Sequence, residues 1–267
     1  MHRYLYFCSS MYTLKKSLGQ HFLHDEAVCR RIMEALQQDP FRNLLEVGPG
    51  GGALTKYLMD IPGIRFTAVE LDREKIEHLE QTYPGLAGKI IHADFLTLGK
   101  PFEEPFTVIG NFPYNISSQI LFRMLDWRTD VACMIGMFQK EVALRVAARE
   151  GNKTYGILSI LVQAFFDVEY LFEVQENSFT PPPKVKSAVI RLKPTAHPPD
   201  MKNEKAFFTL VKTAFNQRRK MLRNSVKPLF SSETLADDVF NKRPEQLSIP
   251  EFAALTYRMG SSNPATP

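Results

Sequence analysis

The stretch Leu44-Leu-Glu-Val-Gly-Pro-Gly-Gly-Gly-Ala-Leu-Thr55 joins an apolar run to a glycine-rich loop. The apolar run has the composition of a buried strand, and the residues after the loop can begin a helix. Gly48, Gly50 and Gly52 allow the backbone to turn sharply and to approach a ligand where a Cβ would collide. In open α/β sheets such a loop follows the first strand, at the edge where these sheets bind ligands. The stretch therefore predicts an α/β fold with a ligand site at this loop.

Short apolar segments alternate with helical patterns from about residue 15 to residue 193, which is typical of a sheet with crossover helices. The predicted strands are Leu44–Gly48, Arg65–Glu70, Lys89–His92, Phe106–Gly110, Val131–Phe138, Asp167–Val174 and Val185–Leu192. The predicted helices are Ala27–Gln37, Gly52–Leu58, Ile116–Asp126, Lys140–Ala148 and Gly156–Ala164. The last two strands are separated by a proline-rich segment too short for a helix. We therefore expect them to form an antiparallel pair at the sheet edge.

The composition changes at residues 193–200, where three prolines indicate a linker. Beyond it only helical patterns occur, as far as about Arg258. We expect a disordered leader over residues 1–13 with Met11 as the functional start, an α/β domain over residues 14–195, and a small all-helical domain over residues 196–267 that ends in a disordered tail at 261–267.

Charge and cysteine content limit the class of protein. The 267 residues carry a net charge of +4, so any nucleic-acid binding must come from a local basic patch. Cys8, Cys29 and Cys133 lie far apart without a CxxC pair, so neither a disulfide framework nor a metal site is expected. No apolar run approaches the roughly 18 residues of a membrane helix. We expect a cytoplasmic protein with no membrane partner.

Carboxylates at strand ends indicate a nucleotide-like ligand. Glu70 ends the second predicted strand and can accept hydrogen bonds from both ribose hydroxyls. Asp94 follows the third and can accept from the amino group of an adenine, with Phe95 beside the ring, although a helix-capping or turn role is the better explanation of Asp94 taken singly. Gly48, Gly50 and Ala53 also fit the dinucleotide pattern G-x-G-x-x-[G/A], so these features leave NAD and S-adenosylmethionine open.

The end of the fourth strand, Asn111-Phe-Pro-Tyr114, favours methylation of an amine conjugated to an aromatic ring. An adenine N6 is a poor nucleophile because its lone pair is delocalised. The Asn111 side-chain oxygen and the Phe112 carbonyl can accept its two hydrogens, which draws the amine towards a pyramidal geometry. Pro113 stiffens the turn, and Tyr114 offers a face on which an extruded base can stack.

These residues give the sequence a close resemblance to the ribosomal RNA adenine N6,N6-dimethyltransferases of the kasugamycin-sensitivity type, from Leu18 to about Tyr257. The motifs that carry the resemblance are Gly19-Gln-His-Phe-Leu23, Glu46-Val-Gly-Pro-Gly50, Glu70-Leu-Asp72, Asn111-Phe-Pro-Tyr-Asn115, Gln139-Lys-Glu141, Phe179-Thr-Pro-Pro-Pro-Lys184 with Val185 and Ser187, and Ala214-Phe-Asn-Gln-Arg-Arg-Lys220.

The resemblance implies a Rossmann-like class I methyltransferase fold with a mostly parallel seven-stranded sheet and a small all-helical C-terminal domain that binds RNA or the ribosome. It implies S-adenosyl-L-methionine as methyl donor, no metal, and a substrate of two adjacent adenines in a hairpin loop near the 3′ end of 16S rRNA, within a pre-30S or 30S particle. We expect a monomer with a role in 30S biogenesis.

The resemblance also implies roles for particular residues. The cofactor contacts are expected at His21, Leu23, Gly48, Gly50, Glu70, Asp94 and Asn111. The catalytic turn is expected at Asn111, Phe112, Pro113 and Tyr114. Contacts to the RNA are expected at Tyr114, Phe179, Arg218, Arg219, Lys220 and Arg223. His21 departs from the family, which has Asn there, and Phe179 is expected as the second wall of the adenine slot opposite Tyr114.

Residues 212–227 contain six Lys or Arg and no Asp or Glu. Lys212, Arg219, Arg223 and Lys227 follow helical spacing, while the apolar residues Val211, Phe215, Leu222 and Val226 follow another face. We expect one amphipathic helix with a basic face for phosphates, against the alternative of a merely solvated face.

Three other functions are compatible with parts of this pattern. A dimethyltransferase of the erythromycin-resistance type would modify one adenine of large-subunit rRNA, but the Asn216–Lys220 segment favours the small-subunit type. An NAD-dependent oxidoreductase has only the glycine loop in its favour. A ribosome-assembly factor would bind a pre-30S particle and use methylation as a release signal.

Overall fold

The computed structural model describes residues 21–260 of the chain. The expected leader, the start at Met11, the tail at 261–267, and Cys8 and Gly19 of the sequence arguments lie outside these residues. Within residues 21–260, no helix combines the length and the apolar character needed to cross a bilayer.

Nine strands occur among the described residues. They are β1 (Phe22–Leu23), β2 (Asn43–Val47), β3 (Arg65–Glu70), β4 (Ile90–His92), β5 (Phe106–Asn111), β6 (Val131–Gln139), β7 (Phe166–Val174), β8 (Phe179–Thr180) and β9 (Ser187–Pro194). The helices are α1 (Glu26–Leu36), α2 (Thr55–Leu58), α3 (Arg73–Thr82), α4 (Ser117–Asp126), α5 (Lys140–Val146), α6 (Ile157–Gln163), α7 (Glu204–Phe215), α8 (Leu222–Ser225) and α9 (Ile249–Thr256).

Seven strands form one sheet in the order β4-β3-β2-β5-β6-β9-β7. All neighbours are parallel except that β9 runs antiparallel to both β6 and β7. The expected seven-stranded, mostly parallel sheet and its antiparallel final pair are therefore confirmed, with β7 at the edge. The strand order reverses between β2 and β5, and ligands of open α/β sheets bind at such a reversal.

The sheet is covered on both faces, which explains why its central strands read as continuous apolar runs. Neighbouring residues on a strand point to opposite faces. Leu44 and Ile109 pack into the core under α1, α2 and α3, whereas Leu45 and Val108 pack into the core under α4, α5 and α6. The result is a three-layer arrangement in which the carboxyl ends of β2, β3 and β5 meet at one edge.

Local signals explain where the helices begin. The Asp25 carboxylate caps α1 by accepting from the main-chain N–H groups of Ala27 and Val28 at 3.0 and 3.3 Å. Asp72 caps α3 in the same way. Helix α3 was not expected from the sequence because it buries only Lys75 and Leu79 and so lacks a clear apolar stripe.

The segment after the linker contains α7, α8, α9 and short 3-10 turns, and no strand among its described residues, as expected. The single amphipathic helix expected over residues 212–227 is wrong. Helix α7 ends at Phe215, and α8 begins only at Leu222, whose main-chain N–H donates to the carbonyl of Lys242 rather than to the preceding turn. The apolar residues Val211, Leu222 and Val226 are nevertheless fully buried.

The core beneath the C-terminal helices is continuous with the core on one face of the sheet. Phe207, Leu210 and Phe252 belong to the same apolar cluster as Leu161 and Val108. Helix α7 packs against α6 of the α/β part and against α9. The α/β part and the helical part, which the sequence analysis divides at residues 195 and 196, therefore share one apolar core.

Phe207→Ala tests this shared core. The Phe207 side chain is fully buried on α7, so its loss should lower the free energy of unfolding by about 3–5 kcal/mol. Because the core is shared, thermal unfolding followed by circular dichroism should show one transition that moves as a whole. Lys205→Ala, an exposed position on the same helix, should change stability by less than about 0.5 kcal/mol. Two separate transitions, with only the second moved, would contradict the shared core.

Candidate functional site

The glycine loop follows β2 with a backbone that other residues rarely adopt. Gly48 and Gly50 have φ values of +68° and +58°, a region that L side chains disfavour. The Gly48 N–H donates to the carbonyl of Val69 on β3 at 2.9 Å, which fixes the loop to the neighbouring strand. The ring of Phe22 on β1 lies against the loop, since a Cβ on Gly50 would be 3.5 Å from it.

Glu70 ends β3 beside this loop, as the sequence predicted. Glu70 is 6% exposed, and its carboxylate accepts hydrogen bonds from three main-chain N–H groups, those of Gly50 (3.3 Å), Leu71 (3.0 Å) and Asp72 (3.0 Å). The site therefore has a well-oriented acceptor next to the glycine loop, suitable for hydroxyl groups.

A second carboxylate lies deeper under the loop. Glu46 on β2 is 2% exposed and accepts a hydrogen bond from the Thr55 hydroxyl at 2.8 Å. Burial, with a smaller contribution from the nearby Glu70 charge, raises the pKa of Glu46 to about 8. Glu46 is therefore mostly protonated at neutral pH, which limits the negative charge buried below the loop.

Asp94 lies two residues beyond β4, near the same edge of the sheet. One carboxylate oxygen accepts from the main-chain N–H of Leu96 at 2.9 Å, which is the turn-capping role considered above. Its other oxygen receives no hydrogen bond within residues 21–260. The ring of Phe95, expected beside a bound adenine, instead packs edge-on against Trp127 in the core at 5.4 Å between ring centroids.

The Asn111–Tyr114 turn leaves the end of β5 and is anchored by the Phe112 ring. This ring occupies the space above Gly110 and Gly136, which pair across β5 and β6. A Cβ on Gly110 would lie 2.7 Å from the ring, and one on Gly136 would be closer still. The Phe112 N–H also donates to the carbonyl of Met137 at 3.1 Å. These contacts fix the direction of the Phe112 carbonyl, which receives no donor from residues 21–260.

His21 orients the Asn111 side chain. The Asn111 amide nitrogen donates to the main-chain carbonyl of His21 at 3.2 Å, so the amide oxygen points away from that bond and has no donor among the described residues. The His21 ring lies 5.3 Å from the Tyr114 ring. Its Nδ1 bonds to the Pro181 carbonyl at 2.8 Å. Since a carbonyl can only accept, Nδ1 carries the proton and Nε2 remains available.

Tyr114 is fixed by one hydrogen bond of its side chain and one of its main chain. Its hydroxyl forms a 2.5 Å hydrogen bond with the Ser187 hydroxyl on β9, and its main-chain carbonyl accepts from Ser117 at the start of α4 at 3.0 Å. Burial raises the pKa of the Tyr114 phenol. A half-buried ring held in this way can serve as a rigid stacking surface.

Leu23 and Phe179 lie opposite each other in the antiparallel pair of β1 and β8, which the sequence did not predict. Both belong to the apolar cluster under α1 and are 5% and 2% exposed. The Phe179 ring is thus covered here, and a role as second wall of an adenine slot requires that this ring becomes accessible.

The basic residues lie mainly on the turn between α7 and α8. Arg219 and Lys220 are exposed. Arg218 faces Glu245 at 4.0 Å, and the Arg223 guanidinium donates to the side-chain oxygen of Asn241. Arg219 and Lys220 are therefore more available to a ligand than Arg218 and Arg223.

The structure brings Glu70, the glycine loop, His21 and the Asn111–Tyr114 turn to one edge of the sheet. Gly110 and Gly136 were missed in the sequence as parts of this site. The signal was present, because a glycine inside a buried strand often marks a close approach of another group. The order in which β5 and β6 pair was needed to identify that group as Phe112.

Comparison with known proteins identifies related chains. Residues 11–247 match the family model described as ribosomal RNA adenine dimethylase. A protein of Flavobacterium johnsoniae named ribosomal RNA small subunit methyltransferase A is 52% identical over 249 residues, covering 92% of this chain and 95% of the relative. A protein of the same name from Parabacteroides distasonis is 53% identical over 248 residues, covering 91% and 92%.

Two solved structures are also similar. A dimethyladenosine transferase from Plasmodium falciparum has a TM-score of 0.75 at 24% identity, covering 90% of this chain and 99% of the other, which shows the same fold. The 23S rRNA methyltransferase ErmE has a TM-score of 0.62 at 27% identity, covering 89% and 99%.

Glu46→Gln tests the electrostatics of this edge. The pKa of Glu46 is raised to about 8 in the folded chain from a usual 4.5, so its protonated form stabilises the fold below about pH 4.5 and that contribution is lost as the pH rises through 8. The unfolding free energy of the wild type should therefore fall between about pH 5 and 9, measured by urea denaturation. The variant should show a smaller fall over the same range. The exposed control Glu34→Gln should keep the wild-type slope. An unchanged slope in Glu46→Gln would show that Glu46 is ionised when folded.

Proposed function

The chain belongs to the ribosomal RNA adenine dimethylase family, and on this premise we propose that it methylates the N6 atoms of two adjacent adenines of 16S rRNA. The chain is a methyltransferase, and the donor proposed is S-adenosyl-L-methionine. The adenines proposed lie in a hairpin loop near the 3′ end of the small-subunit rRNA. Each becomes N6,N6-dimethyladenine, so four methyl groups are transferred per rRNA.

The Asn111–Tyr114 turn is the observation that carries this proposal. Its two oxygens without donors from residues 21–260, the Asn111 side-chain oxygen and the Phe112 carbonyl, match the two hydrogens of an adenine N6. Accepting both localises the nitrogen lone pair and directs it to one side. Tyr114 provides the stacking surface for a base taken out of its helix. These groups are fixed before the substrate binds, so little reorganisation is needed.

The edge of the sheet fits the methyl donor. Gly48 and Gly50 allow backbone approach, and Glu70 presents a carboxylate suited to ribose hydroxyls. The free oxygen of Asp94 can accept from an adenine amino group. His21 and Leu23 would complete the contacts from β1, together with Asn111. When bound, S-adenosylmethionine supplies an electrophilic methyl group, and the chain's own task is to exclude water and align N6 with it.

His21 occupies a position at which the family usually has Asn. Its Nε2 can donate or accept according to its protonation state, so the contact to the donor can be kept. The main-chain carbonyl of His21 performs a second task that does not depend on the side chain, since it holds the Asn111 amide. We propose that the substitution leaves the orientation of Asn111 unaffected.

No strong general base is required in this proposal. The nitrogen that has accepted a methyl group is positively charged and loses its proton readily to solvent. The buried carboxylate Glu46 is unsuited to that role because it lies beneath the loop and bonds to Thr55. No group of three or more His, Cys, Asp or Glu in residues 21–260 is arranged to hold a metal ion, and the proposed transfer uses none.

The RNA is proposed to contact the basic turn between α7 and α8. Arg219 and Lys220 are the residues free to meet phosphates, while Arg218 and Arg223 are partly occupied by Glu245 and Asn241. Phe179 is proposed as a second contact to the base, which requires that its buried ring becomes accessible when RNA binds. We propose residues 196–267 as the part that recognises a pre-30S or 30S particle, acting in the cytoplasm as a monomer.

Large-subunit rRNA is the competing substrate, since ErmE is a 23S rRNA methyltransferase with a similar fold. The relatives at about half identity are named for the small subunit, which favours 16S rRNA. A role as assembly factor is compatible with the proposal. Incubation with labelled donor and unmethylated 30S or 50S subunits, followed by nucleoside analysis, separates the two substrates, and label in 50S alone would overturn the choice.

Asn111→Ala tests the catalytic turn. Removing the acceptor oxygen should lower kcat by on the order of 10²–10³-fold, with donor affinity mostly retained in calorimetry. Asn111→Asp is the matched control, because it keeps an acceptor oxygen while losing the donor to His21. It should retain more activity than Asn111→Ala. Full activity of Asn111→Ala would refute the role assigned to this side chain.

Arg219→Gln with Lys220→Gln tests the RNA contact without disturbing the bonds of Arg218 and Arg223. Loss of two phosphate contacts should reduce the slope of log affinity against log salt by about two, measured by filter binding to 30S particles. Donor affinity should stay unchanged. Lys205→Gln, exposed on α7, serves as the control for a lost surface charge. An unaltered salt slope in the double variant would leave the turn as a solvated surface.

A further inference from the structure

A groove of about 340 Å³ lies outside the residues assigned so far. It is lined by Gln139, Lys140, Glu141, Leu144, Val185 and Lys186. These residues come from the junction of β6 with α5 and from the segment that leads into β9. Gln139, Lys140, Glu141 and Val185 belong to motifs quoted above, and no step of the proposed methyl transfer uses the residues of this groove.

The groove begins next to the group that holds Tyr114. Gln139 lies opposite Ser187 in the ladder between β6 and β9, and the Ser187 hydroxyl bonds to the Tyr114 hydroxyl at 2.5 Å. The main-chain N–H of Lys140 donates to the carbonyl of Lys186 at 2.9 Å, which joins the two segments that line the groove. The groove residue Gln139 is thus linked to the Tyr114 hydroxyl through one buried residue, Ser187.

One part of the groove is apolar and open. Leu144 and Val185 are 43% and 44% exposed, among the few large apolar side chains of residues 21–260 that are so exposed. Single exposed apolar residues need no explanation, but two in one concave surface next to a site suggest a binding function. Apolar side chains of this kind can receive the face of a nucleobase.

The other part of the groove is positively charged, and ion pairs fix the position of its two ammonium groups. Glu173 on β7 pairs with both Lys140 and Lys186, the latter at 2.6 Å. These two ammonium groups lower the pKa of the Glu173 carboxyl to about 2, so the trio keeps a net charge of +1. Glu141 is balanced separately by Arg145 at 2.8 Å. Each ammonium has further N–H donors for an anion.

We propose that this groove binds the nucleotide adjacent to the target adenine, with its base against Leu144 and Val185 and its phosphate at Lys140 and Lys186. The inference rests on the proposed function, in which the two adenines are neighbours in one strand. When one adenine lies at Tyr114, the next nucleotide must lie within one backbone step of it. An apolar wall beside two oriented ammonium groups complements a base and its phosphodiester.

Leu144→Ser with Val185→Ser tests the base contact. Both positions are exposed, so the fold should tolerate the change. Three substrates are compared, which are 30S particles reconstituted with unmodified 16S rRNA, with an abasic nucleotide on the 5′ side of one target adenine, or with one on its 3′ side. In the wild type, the abasic site on the correct side should raise the KM for particles about tenfold. The double variant should show a similar rise with normal rRNA, and the abasic site should add nothing to it.

Lys140→Gln with Lys186→Gln tests the phosphate contact. This variant should raise the KM for particles and lower its dependence on salt, whereas donor affinity should stay unchanged. Lys89→Gln, at an exposed position outside both the groove and residues 196–267, should leave both quantities at wild-type values. An unaltered KM and salt dependence in the lysine variant would overturn the phosphate contact.

The outcomes separate this inference from the proposed function. If the KM increases caused by the serine variant and by the abasic sites multiply, the groove does not hold that base. The weaker binding of particles by the serine variant would then indicate another partner, such as a protein segment. That result overturns the inference while methylation by the wild type continues. If the wild type transfers no methyl group to unmodified 30S particles, the proposed function itself fails.

Discussion

The Phe112 ring lies in space that exists because two paired strand residues, Gly110 and Gly136, have no side chains. With the ring anchored there and the Phe112 N–H bonded to Met137, the main chain leaves β5 in one direction. The Asn111 amide is then fixed by the His21 carbonyl. The Asn111 side-chain oxygen and the Phe112 carbonyl are therefore held in place without a ligand and without donors from residues 21–260, and such preorganisation is what a site needs to act on a weakly nucleophilic amine.

The two carboxylates at the glycine loop, Glu70 and Glu46, have different surroundings. Glu70 receives three main-chain hydrogen bonds that orient it, whereas burial raises the pKa of Glu46 to about 8. A protonated Glu46 limits the negative charge buried beneath the loop, and Glu70 is the acceptor that main-chain N–H groups orient. The glycine loop contributes to both, since Gly50 donates to Glu70 and the helix after the loop carries the Thr55 hydroxyl that bonds to Glu46.

Much of this could be predicted from local sequence, because strand ends and glycine loops have strong local signals. The strands of the sheet and the positions of Glu70 and Asn111 followed from such signals. Other features depend on tertiary partners. The break between α7 and α8 is stabilised by a bond from Leu222 to Lys242, and the covered Phe179 results from pairing of β8 with β1, 156 positions apart at Leu23 and Phe179. Helical spacing alone contains no information about these contacts.

The central claim is that an adenine N6 is held by the Asn111 side-chain oxygen and the Phe112 carbonyl beside Tyr114. A crystal structure of the full chain with S-adenosylhomocysteine and adenosine tests it most directly. We expect N6 to lie about 3 Å from both oxygens, with the adenine ring stacked on Tyr114. An adenosine held elsewhere, or an Asn111 oxygen turned away from N6 in that complex, would contradict it.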